Sequence, residues 1–106
     1  MADDLEHAWT ALRQCLESRS RALHDELRSY PTPIARCDEQ LTGLIEQRDT
    51  AFRQLRTAAD LERVRSSIAR AEWLTHLRGF VATLEGEGDS ALATRARVVA
   101  AAVAHS

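Results

Sequence analysis

One stripe constrains this chain more than any other feature. Within residues 34–58, Ile34, Cys37, Leu41, Leu44, Ala51, Leu55 and Ala58 recur at alternating spacings of three and four, and Arg48 fills the remaining seam position. A strand would need a period of two; this period belongs to a helix buried along one narrow face. A guanidinium set among apolar side chains must find carboxylates, carbonyls or a ligand, because burying an unpaired charge is costly.

The remaining sequence has the same character. A first helix is expected over residues 4–29, with Leu5, Trp9, Leu12, Leu16, Leu23 and Leu27 on one face. Tyr30-Pro31-Thr32-Pro33 ends it, since each proline disfavours helical geometry in the residue before it. The seam gives a second helix over 34–57. The spacing then slips to three and three through Ala58, Leu61 and Val64, which signals a turn capped by Thr57 or Asp60, or else one long helix with a rotating stripe. A third helix over 60–84 carries two apolar faces. One holds Leu61, Val64, Ile68, Ala71, Leu74, Leu77, Val81 and Leu84, the other Ala69, Trp73 and Phe80, so it is expected at the centre. Glu85-Gly86-Glu87-Gly88-Asp89-Ser90 is a loop, and a fourth helix over 90–104 sets Leu92, Ala96, Val99 and Val103 in heptad spacing. The expected fold is a single all-α domain over residues 1–106: an antiparallel up-down bundle of three long helices plus a short C-terminal fourth.

Charge and composition exclude several classes. Net charge is −2 and every one of the 14 basic residues is arginine, so no global basic field marks a nucleic-acid binder. No run of apolar residues is long enough to span a membrane, and the acidic start Met1-Ala2-Asp3-Asp4 lacks the order of a signal peptide, which gives an expectation of a cytoplasmic protein. If the first two helices pair about Pro31–Pro33, facing residue numbers sum to about 63. Cys15 then faces Arg48, Cys37 faces Glu26 and Arg19 faces Leu44, leaving the two thiols beyond the ~7 Å reach of a disulfide. Reduced, buried cysteines follow, or a Cys15 thiol made reactive by Arg48.

Three arginines, Arg19, Arg48 and Arg70, are candidates for a pocket that holds an anionic small molecule; the alternative is an internal arginine–carboxylate network. Asp38-Glu39-Gln40-Leu41 followed by Leu44-Ile45-Glu46-Gln47-Arg48 resembles the long first helix of the all-helical chorismate mutases. In that family an arginine at the place of Arg48 binds a substrate carboxylate within a dimer. The family also supplies a lysine a turn or more further on, where this chain has Thr-Ala-Ala-Asp-Leu at 57–61, and another helix precedes the motif here. The four histidines, His7, His24, His76 and His105, lack the paired carboxylate–histidine steps of a metal bundle, so neither metal nor cofactor is expected. Arg53, Arg56, Arg63 and Arg65 crowd the turn expected between the second and third helices, a basic tip without the aromatic residues that stack on nucleic acid. Gly43 and Gly79 interrupt helices, which suggests close helix approach or a small pocket.

Trp73, Phe80, Leu92, Val99 and Val103 offer more apolar surface than a slim bundle hides, which makes them candidate interface residues. The sequence therefore points to a non-enzymatic helical interaction protein: a homodimer acting as an adaptor, small chaperone or regulatory subunit. The alternative is a bundle, possibly catalytic, built around Arg48, Arg19 and Arg70.

Overall fold

A computed structural model describes residues 2–29 and 38–105, and among these the chain is four helices with no strand. They are α1 (Ala2–Arg28), α2 (Asp38–Val64), α3 (Arg70–Glu85) and α4 (Ser90–Ala104). Pro31, Pro33, Ile34 and Cys37 lie outside the described residues. Three long helices and a short one become two helices of 27 residues followed by two of 16 and 15.

The difference arises because α2 runs straight through the phase slip. Neither expected cap stops it. The Thr57 hydroxyl donates to the Arg53 carbonyl at 3.0 Å, the back-bonding geometry of a helix interior, and Asp60 pairs with Arg63 at 2.9 Å. The turn falls at 65–69, where the Ser67 amide donates to the Val64 carbonyl at 2.9 Å. Ala69 enters α3 with no side-chain cap. Tertiary contacts secure the break. The Trp73 indole donates at 2.8 Å to the Leu61 carbonyl, one of the last four in α2 that have no helical partner. By contrast α4 starts conventionally, with the Asp89 carboxylate accepting from the Leu92 amide at 3.1 Å.

α1 packs against both α2 and α4, and α4 against both α1 and α3, while α2 and α3 touch only slightly. The centre therefore belongs to α1 and α4, and not to the third helix as its two stripes suggested. Only one face of α3 is buried, through Trp73, Leu77, Phe80, Val81 and Leu84, whereas Ala69 and Ala71 are exposed. At the apolar end of α4, Val99 and Val103 are covered within the chain by α1 and α3. Trp9 sits fully buried in the core and meets Trp73 and Phe80 edge-to-face, at centroid distances of 6.0 and 6.4 Å.

Contacts between α1 and α2, with the first residue of the turn that follows α2, join Glu6 to Arg65, Trp9 to Glu62 and Arg19 to Gln54. Residue numbers rise along one helix as they fall along the other, and they sum to 71–73 rather than 63. Cys15 thus lies level with Thr57, about 14 Å along α2 from Arg48. Helices of 27 residues are about 40 Å long, and those of 16 or 15 only about 24 Å. The molecule measures 52 × 26 × 18 Å. Its continuous core ends at Leu16 on α1 and begins at Ala58 on α2; beyond it, among the described residues of these two helices, only Leu23 and Ala51 are buried. α1 and α2 project past the four-helix body as a two-helix overhang.

Candidate functional site

The three candidate arginines are not brought together. Arg19 donates to Gln54 Oε1 at 2.5 Å and lies 3.7 Å from Asp89, while Gln54 passes the chain on to Glu87 at 2.6 Å. This relay ties α1 and α2 to the loop before α4. Beside it is a cleft of about 690 Å³ whose charged lining is one arginine against Glu26, Glu87 and Asp89. That balance disfavours an anion. Arg48 stands at the edge of the seam, not in it. Its side chain is 44% exposed and reaches only its neighbour Asp49, at 3.2 Å. Ala51 and Ala58 form the buried line instead, since their small side chains permit a close approach to α1. Arg70 is exposed at the start of α3, about 24 Å along that helix from the Glu87–Asp89 loop that Arg19 touches.

Cys15 is half-buried, and burial together with the Asp89 carboxylate pushes its thiol above the ordinary value of 9.0. An activated thiol needs the opposite shift. Among the described residues no three His, Cys, Asp or Glu side chains form a group that could hold a metal, and no helix is long and apolar enough to cross a membrane. His76 pairs at 3.8 Å with Glu72 on an exposed face. The expected basic tip also disperses: Arg53 and Arg56 lie within α2, and Arg63 is taken by Asp60.

Arg65 has a structural task. It lies over the Trp73 ring at 4.7 Å, donates to Glu6 at 2.6 Å and stands 3.5 Å from Glu62. Its hydrogen bond and charge hold the Glu6 carboxyl below the ordinary carboxylate value, and the same contact raises Arg65. Glu62 also accepts from the Trp9 indole at 2.6 Å and lies 3.8 Å from Arg13, which stands over the Trp9 ring at 5.6 Å. Two arginines and one shared carboxylate thus roof the tryptophan pair.

All five residues assigned to an interface from sequence are inside this core. Trp73, Phe80, Leu92, Val99 and Val103 are buried against α1, α3 and α4 of their own chain, so they create no demand for a partner. Among the described residues three large apolar side chains remain exposed: Ile45 at 36%, Phe52 at 58% and Val98 at 54%. Val98 edges a shallow groove of about 420 Å³ between α1 and α4, lined by Ala8, Ala11 and Ala91 together with Ser90, Thr94 and Arg95. Ile45 and Phe52 are one heptad apart on α2 and belong to a row, Leu41, Ile45, Arg48, Phe52 and Leu55, whose other members are half-exposed. That row is a second stripe on the same helix. Its four-three-four-three spacing was present in the sequence, but it shares Leu41, Arg48 and Leu55 with the first stripe and was masked by it.

Compared with protein-family models, curated proteins and solved structures, the chain shows no match.

Proposed function

We propose that this chain is a small non-enzymatic helical interaction protein, an antiparallel up-down bundle that self-associates as a homodimer. The observation that carries the reading is the exposure of Phe52 and Ile45 one heptad apart on α2, along the part of that helix that projects beyond the core. Isolated apolar side chains on a surface need no explanation, but a heptad-spaced row on a long helix has the pattern of a helix-pairing seam. The up-down arrangement is supported by the opposed numbering of the α1–α2 contacts and by the succession of packed neighbours. The ligand-binding alternative loses its support with the separation of Arg19, Arg48 and Arg70. Molar mass by light scattering from about 1 to 300 μM tests the reading, because interfaces of modest size dissociate in the micromolar range. A rise from one chain to two is expected; one chain at every concentration overturns it.

A further inference from the structure

We infer that two copies of the chain pair through α2 in antiparallel orientation, about a two-fold axis that passes between Arg48 and Asp49. This deepens the self-association reading and rests on it. The apolar row supplies the contact and the charges beside it supply the direction. Glu46, Asp49, Arg53 and Arg56 follow one another at spacings of three, four and three, so they form a single line along the helix beside the Ile45–Phe52 row. All four are exposed, and the line is sorted: acids come first, arginines second.

A sorted line distinguishes the two ways of pairing a helix with its own copy. In parallel pairing the two-fold axis runs along the helices and sets this line on opposite sides of the seam in the two copies, so its charges meet no complement. Reversing one copy brings Glu46 opposite Arg53 of the second copy and Ile45 opposite Phe52 of the second copy. Asp49 then faces Arg48 of the second copy. A two-fold interface requires this reciprocity, in which each residue's partner is repeated with roles exchanged. Arg48 thereby gains a role that its position beside the seam leaves open. Its present bond to Asp49 joins sequence neighbours at 3.2–3.4 Å, with both side chains about half exposed, and exchanges readily for the same pair across the axis.

The experiment combines charge reversal with cross-linking. Sedimentation equilibrium is run on the full chain, on Glu46→Arg/Asp49→Arg, and on that variant with Arg53→Glu/Arg56→Glu added, each checked for unchanged helicity. The first pair of reversals leaves the line uniformly basic and weakens the dimer by at least about tenfold; the second pair sorts it again in mirror order and restores the dimer. Cysteine variants Glu46→Cys and Arg53→Cys, in a Cys15→Ser/Cys37→Ser background, are then mixed and oxidised. Antiparallel pairing gives chiefly the mixed disulfide, because like positions stand about 10 Å apart along the axis, beyond reach. Three results overturn the inference. A dimer indifferent to the reversals, or disulfides chiefly between like variants, rejects this interface while self-association stands. One chain at all concentrations rejects both.

Discussion

At single residues the chemistry is already set by neighbours. Cys15 is held in its protonated form by burial and by Asp89, against the smaller pull of Arg95 and Arg19. Its alkylation by iodoacetamide is expected to be slower at pH 8 than that of a free thiol, with a midpoint above 9.0, and Asp89→Asn is expected to accelerate it. Asparagine keeps the cap of α4, so the change isolates the charge. Peptide mapping separates Cys15 from Cys37; equal rates in both proteins would remove Asp89 from the account. Glu6 titrates in the opposite sense. A carboxyl held below its ordinary 4.5 contributes stability above that pH and loses it as the pH falls through the lower folded value, while Arg65 stays charged throughout. Because Glu6 is half-exposed, Glu6→Gln should cost under about 1 kcal/mol at pH 7 and progressively less as the pH is lowered below 4.5, as read by urea unfolding across that range.

At the scale of elements, the α2–α3 junction depends on one carboxylate. Removing Glu62 leaves the Trp9 indole without its acceptor and Arg13 and Arg65 without their shared anion. Glu62→Ala is expected to destabilise by about 1–3 kcal/mol in chemical denaturation, with Glu62→Gln recovering part because an acceptor remains. The same junction shows where sequence stops being legible. Helical class followed from the three-four spacing, and the start of α4 followed from the glycine-containing loop before it, both local signals. The end of α2 has no such signal. Arg-Ser-Ser-Ile-Ala at 65–69 contains neither glycine nor proline, α3 has no side-chain cap, and the break is held by Glu6, distant in sequence, and by the Trp73 indole reaching back to α2. Burial of the five expected interface residues was hidden for a similar reason: the faces of α3 and α4 were visible, but the α1 surface that covers α4 was not. Gly43 and Gly79 meet their expectation in part. A Cβ at either position would meet nothing within 4 Å, so neither serves close approach, but each lines an open surface pocket, of about 360 and 570 Å³ respectively. Replacing each by alanine should stabilise by about 0.5–1 kcal/mol, with a rise in melting temperature as the check.

The whole molecule is a four-helix body that carries a two-helix projection, and its stability must be distributed in the same way. Below Leu16 on α1 and beyond Ala58 on α2, backbone hydrogen bonds are backed by the tryptophan core and by four helices. In the overhang they are backed by Leu23, Ala51 and a few half-exposed leucines. Opening free energy follows buried apolar contact, so amides of residues 17–28 and 39–50 should exchange at a lower free energy than those of α3 and α4. Hydrogen exchange read by mass spectrometry at low protein concentration checks this; uniform protection along α1 and α2 would contradict it. The same measurement at high concentration carries the argument from fold to function. Pairing through α2 covers the exposed side of the overhang, so protection there should rise with concentration, whereas that of α3 and α4 should not. The projection that costs the single chain local stability is then the part that association repairs, which is a physical reason for a helix of this length to extend past its own core.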